Sequence, residues 1–233
     1  MPNLLKHVLR SLALGGLALL AGCTSAPTSL AYPADAFFDH PEVSVAVMRL
    51  QPGAELPEFD ECKKPGVWCM HSPFWLRGEV VAPVYGKPRM RHMPVLSSGH
   101  YGTSWYADQD DPWLVVLLDD GKDIVMPTYA STSLVRRNDG ALFVIVDYER
   151  EPDFLPCSIA GLREEIDQTR FPRNDDLQLP ADDPAVMDDP QLYTISNGHA
   201  FPRYGIAVSR IATALAMLRP TTAKDFDCPK EAS

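Results

Sequence analysis

Apolar residues in the middle of the chain recur with the two-residue period of β-strands. Residues 42–50 (EVSVAVMRL) put Val43, Val45 and Val47 on one face and Met48 and Leu50 on the other. Residues 74–85 (FWLRGEVVAPVY) are a longer candidate, in which Gly78 predicts a bulge and Pro83 an edge or a second bend. Residues 93–98 (MPVLSS) form a weaker strand. Residues 113–118 (WLVVLL) are an apolar run followed by Asp119-Asp120-Gly121-Lys122 and then by residues 123–126 (DIVM). An Asp-Gly step between two such runs is the strongest hairpin signal in the chain. Residues 141–148 (ALFVIVDY), entered through Asn138-Asp139-Gly140, complete the set.

Helical periodicity comes later. Ser158 is a suitable N-cap for residues 159–167, where Ile159, Leu162 and Ile166 stand at i, i+3 and i+7. Residues 204–219 (YGIAVSRIATALAMLR) carry a fuller stripe of Val208, Ile211, Ala212, Leu215 and Leu218, and Pro220 stops it. Between them, residues 174–191 hold three Asp-Asp pairs and three prolines and read as a solvated loop. Strands followed by helices predict an α+β protein, mostly antiparallel sheet or a small barrel with one or two C-terminal helices. The long strand from Phe74 and the later hairpin resemble, at the level of fold, the small closed OB barrel, in which closure removes exposed edges.

The N-terminus has a different pattern. Lys6, His7 and Arg10 precede an uncharged run, residues 11–22 (SLALGGLALLAG). Twelve residues are too few to span about 30 Å of hydrocarbon as a helix. The run ends in Leu20-Ala21-Gly22-Cys23, which resembles the lipobox of bacterial lipoproteins at every position. That resemblance covers residues 1–23 alone. It implies cleavage after a signal peptide of residues 1–22, acylation of Cys23 and a lipid bilayer as partner. Thr24, where inner-membrane retention typically uses Asp, implies an outer-membrane location within the bacterial envelope. Residues 23–36 then read as a Ser-, Pro- and Ala-rich lipidated tether, and residues 37–233 as one globular domain.

Composition limits the function. The 233-residue chain is 45% hydrophobic and 22% charged, an ordinary globular balance, and its 22 prolines argue against long helices. The formal charge is −10. Removing residues 1–22 takes away Lys6 and Arg10 and no acid, leaving 19 basic residues against 31 acidic ones and a charge of −12. Such a chain lacks the electrostatic footprint of a duplex nucleic-acid binder, so no nucleic-acid partner is expected. Four cysteines remain beside Cys23. In an oxidising compartment Cys62, Cys69, Cys157 and Cys228 predict two disulfides, with Cys62–Cys69 and Cys157–Cys228 the preferred pairing of three. Cys62, Cys69 and His71 lack the tight spacing and second ligand pair of a zinc site, so no metal is expected.

Candidate chemistry is sparse. G-x-S-x-G, H-E-x-x-H, Walker and G-x-G-x-x-G motifs are absent, and nothing calls for a cofactor. Ser97-Ser98-Gly99-His100 and Ser196-Asn197-Gly198-His199 each put a hydroxyl near an imidazole, which sequence proximity alone does not make a triad. Asp108, Asp110 and Asp111 lack the alternation of a calcium loop. Eight aromatics, including all four tryptophans, fall within residues 68–113, about twice the density expected from the chain's 9%. Trp75 and Trp113 open apolar strands and read as core. Tyr101, Trp105 and Tyr106 sit among Gly, Thr, Ser and Asp, and are the candidate binding residues, with Trp105 or Tyr106 expected to be exposed. The resulting expectation is a non-enzymatic envelope module that binds a cell-wall component, a carbohydrate or a protein. Two alternatives stand beside it. One is a hydrolase pairing a His with Ser or carboxylate groups. The other is an inhibitor of a host hydrolase such as lysozyme, whose Ser-Gly-x-x-Tyr loop Ser98-Gly99-His100-Tyr101 partly resembles.

Overall fold

A computed structural model describes residues 42–56, 72–99, 102–106, 111–146, 154–155, 159, 161–171 and 177–217. Cys23, the tether and the four other cysteines lie outside these residues.

Five strands close a barrel. They are β1 (Val43–Glu55), β2 (Ser72–Tyr85), β3 (His92–Gly99), β4 (Trp113–Asp119) and β5 (Ile124–Val125). Their order is β1-β2-β3-β5-β4, and β4 pairs back onto β1 through Val43↔Leu118 to Met48↔Trp113. Only β3 and β5 run parallel, at Leu96↔Val125. The expected α+β small barrel is therefore present, and its strand order is OB-like. The hairpin forms at Asp119-Asp120-Gly121-Lys122: Gly121 has φ +85°, and Asp120 accepts hydrogen bonds from the amides of Lys122 and Asp123 at 2.8 and 2.6 Å.

Irregularities in the β1–β2 pairing bend the wall, but not at Gly78. That residue is in register with Leu50 and Met93. Its missing side chain instead leaves room inside the barrel, where a Cβ would lie 2.5 Å from Met48 Cε and 3.1 Å from Val95 Cγ2. The register slips fall beside Val81 and Val84, on either side of Pro83, and at residues 53–54 opposite Trp75. Gly53 is the glycine the bend requires, because a Cβ there would overlap the Trp75 carbonyl. Gly53→Ala should force β1 off β2 and cost about 1–3 kcal/mol in denaturant-induced unfolding.

Both faces of the β1–β4 wall are buried. Ala46, Met48, Phe74, Leu76, Val115 and Leu117 are among the side chains that fill the barrel. Val43, Val45, Val47, Leu114, Val116 and Leu118 point outward, into a second core. That core is closed by a four-stranded antiparallel sheet in which β7 (Val135–Arg136), β8 (Leu142–Val146), β13 (Tyr204–Ala207) and β9 (Glu164–Glu165) are neighbours in that order. Strand β6 (Ser131–Ser133) extends the barrel sheet beyond β4. The C-terminal helix α2 (Val208–Met217) buries Ile211 and Leu215 in the same core.

The structure corrects three expectations. Residues 204–207 are strand, so the last helix begins at Val208: Tyr204 and Gly205 are held on both sides, by Val146 and Ile145 of β8 and by Glu165 and Glu164 of β9. The predicted helix over 159–167 does not extend through its second half. There the Glu164–Glu165 strand is fixed by Arg203 and Arg210 at 2.5 and 2.9 Å, and Asp167 caps a 3-10 turn, Gln168–Arg170. Tertiary pairing outweighs the i, i+3, i+7 pattern of Ile159, Leu162 and Ile166. Ser158 lies outside the described residues. The loop expected over 174–191 contains β10 (Leu179–Pro180) and α1 (Pro184–Asp188), capped by Asp183. With the hairpin β11 (Tyr193–Ser196) and β12 (His199–Pro202), it buries Val186, Tyr193 and Ala200.

Candidate functional site

The segment after β3 ends in a 3-10 turn, Gly102–Tyr106, packed against β1 and β2. Gly102 takes φ +57° beside Glu55. Successive 3-10 residues point about a third of a turn apart, so neighbouring aromatics diverge. Tyr106 turns inward and is 8% exposed; its ring lies 4.9 Å from Trp113 and 6.1 Å from Phe74. Burial pushes its phenol pKa up, against the hydrogen bond to Ser131 Oγ at 3.3 Å. Tyr106 is thus a core residue, correcting its place among the candidate binding residues. Trp105 points outward and is 50% exposed, as expected for one of the pair. Tyr101 and His100 lie outside the described residues.

A second exposed aromatic stands near this end of the barrel. After β5, residues 126–131 run between β3 and β4. Met126 N–H donates to Leu96 O at 2.8 Å, and Ser97 Oγ donates to Met126 O at 3.0 Å. The buried hydroxyls of Ser98 and Thr128 meet at 2.6 Å. Residues 127–130 then make a turn closed by Ala130 N–H to Pro127 O at 3.0 Å, with Tyr129 at its third position. Tyr129 has φ +64° and is 72% exposed. Gly or Asn normally fills such a position, and a bulky side chain there costs about 1–2 kcal/mol. The side chain is mostly in water. The sequence carries no glycine at this turn to reveal the conformation. Ser98–Thr128 on one side and Tyr106–Ser131 on the other fix the loop that presents Tyr129, while the 3-10 turn presents Trp105.

The hydroxyl–imidazole pairs do not assemble into a triad among the described residues. Ser98 is committed to Thr128, and Ser196 and His199 flank a hairpin turn in which Asn197 and Gly198 have φ +52° and +78°. His92 and His199 are exposed. Among the described residues no three His, Cys, Asp or Glu side chains cluster as metal ligands.

The opposite mouth of the barrel is different in character. A cavity of about 190 Å³ lies between residues 42–44, residues 86–89 and Asp119, floored by Met93, Leu117 and Ile124. It is below the size of ordinary small-molecule clefts. Arg89 spans this mouth: Nε lies 3.2 Å from Asp119 Oδ2, and Nη1 donates to Gly121 O at 3.2 Å. On the outer face of β1–β2–β3, Glu79 gathers Arg91, Arg49 and His92 at 3.2, 3.4 and 3.7 Å. Partial desolvation raises the Glu79 pKa, but hydrogen bonds from Arg91 and Arg49 hold it below the usual carboxylate value. No protein-family model matches the chain, and no curated protein or solved structure is detectably similar to it.

Proposed function

We propose that this chain is a lipid-anchored protein of the bacterial envelope, held through Cys23 at the outer membrane, and that its barrel binds a cell-wall glycan without catalysing a reaction. The observation that carries the binding reading is Tyr129, an exposed ring kept in a left-handed backbone conformation at the same end of the barrel as the exposed Trp105. Residues held in sparsely populated backbone conformations cluster at ligand clamps and other functional sites. Flat rings presented at the end of the barrel suit stacking against sugar rings. The anchor reading rests on Leu20-Ala21-Gly22-Cys23. Several acyl chains at about 0.8 kcal/mol per buried methylene give lasting attachment, where one would not.

Binding is tested by recovery on purified peptidoglycan and from envelope extract, comparing wild type with a Trp105→Ala, Tyr129→Ala double variant. The variant should lose most recovery on peptidoglycan. Equal recovery by both proteins would remove the aromatic site. The anchor is tested separately: Cys23→Ala should leave the membrane fraction after a high-salt wash, and a variant that still pellets would refute acylation.

A further inference from the structure

The chain enters the barrel at the end opposite the Tyr106 plug. Val43, the first residue of β1, pairs with Leu118 and lies against the β2–β3 loop. A Cβ on Gly86 would sit 2.6 Å from the Val43 carbonyl, and Gly86 has φ +64°. Eighteen residues lie between Cys23 and Glu42, and nineteen peptide steps span at most about 65 Å even when fully extended. If Cys23 sits in a bilayer, this mouth of the barrel is therefore the end held nearest the lipid.

The β2–β3 loop has a composition suited to that position. Residues 72–99 carry Arg77, Lys87, Arg89 and Arg91 against the single acid Glu79, in a chain whose net charge is −10. At the loop, Val81 and Met90, 43% and 44% exposed, share a shallow open groove of about 490 Å³ with Lys87, Arg89 and Arg91, and no acid lines it. The acids of the adjacent β4–β5 hairpin are already engaged. Asp119 holds Arg89, Asp120 accepts two amides of its own turn, and Asp123 lies 3.5 Å from Lys122. Arg89 also donates to the carbonyls of Gly121 and Lys122, which braces the loop from behind and leaves Lys87 and Met90 outward; Arg91 is exposed as well, with its guanidinium 3.2 Å from Glu79.

We infer that the β2–β3 loop is a docking surface for anionic lipid headgroups, with Met90 and Val81 entering the headgroup layer between Lys87 and Arg91. The inference rests on the anchor reading for its geometry. Docking sets the orientation: the β2–β3 loop faces the bilayer, and Trp105 and Tyr129 are carried toward the side away from it. A net-acidic protein is repelled by an anionic surface in other orientations, so the acid-free groove selects this one.

The test is hydrogen exchange of the full chain in nanodiscs of phosphatidylcholine, with and without phosphatidylglycerol. Residues 86–91 should exchange about tenfold more slowly when phosphatidylglycerol is present. High salt, a Lys87→Glu, Arg91→Glu variant and, in part, Met90→Ala should each reverse the protection. These side chains are exposed, so unchanged exchange in β3 and β4 verifies the fold of each variant. A chain that stays disc-bound with equal exchange at 86–91 in both lipids would overturn the docking inference and leave the anchor standing. A chain that fails to stay on phosphatidylcholine discs, yet is protected at 86–91 by phosphatidylglycerol, would refute the anchor and support the surface.

Discussion

Leu114→Ala and Leu117→Ala are each expected to destabilise the fold by about 2–5 kcal/mol, although the two side chains leave opposite faces of the same strand. Leu114 points into the core shared with β8, β13 and α2, and Leu117 into the barrel. Both are essentially inaccessible. A strand with one wet face would show one large and one negligible effect, the latter within about 0.5 kcal/mol. Urea unfolding of the two variants separates the cases. Comparable losses support a barrel wall clad by a second layer, and a neutral result at Leu114 would mean that the cladding does not pack as described.

The second large effect is a divergence at Tyr129. Replacing it by glycine removes the ring and relieves the positive φ, so the fold should be as stable as wild type or up to about 1 kcal/mol more stable. Binding should move the other way. Loss of one stacking ring costs roughly 1–3 kcal/mol by analogy with aromatic platforms for single-stranded nucleic acids, or about ten- to a hundredfold in affinity. Ordinary core or loop residues do not give this pair of signs, because there a loss of function follows a loss of stability. Trp105→Ala, on a different element, should weaken binding with little change in stability.

Much of the barrel was legible because its signals are local. Alternation in residues 42–50, the unbroken run WLVVLL and the Asp120-Gly121 step each specify a strand or turn from a few neighbours. The run is unbroken because β4 is covered on both faces. Features that depend on distant partners were not legible. Gly53 and Gly78 look alike in sequence, and only the path of Trp75 past one and of Met48 past the other separates a bend from a packing gap. Residues 159–167 have helical spacing, yet β13 pairs with Glu164 and Glu165, whose carboxylates are held by Arg210 and Arg203, 46 and 38 positions further along the chain. At the candidate site, the polar neighbours of Trp105 and Tyr106 correctly placed an aromatic at the surface. They could not show that a 3-10 turn sends the two rings in opposite directions. Tyr129 had no sequence signal, since its turn uses a residue type that such turns disfavour.

The most direct measurement of the account is a binding isotherm on sedimented peptidoglycan for wild type and Tyr129→Gly, with urea unfolding of the same two preparations. The account predicts a Tyr129→Gly protein at least as stable as wild type that binds at least tenfold more weakly. Unchanged binding by that stable variant would contradict it.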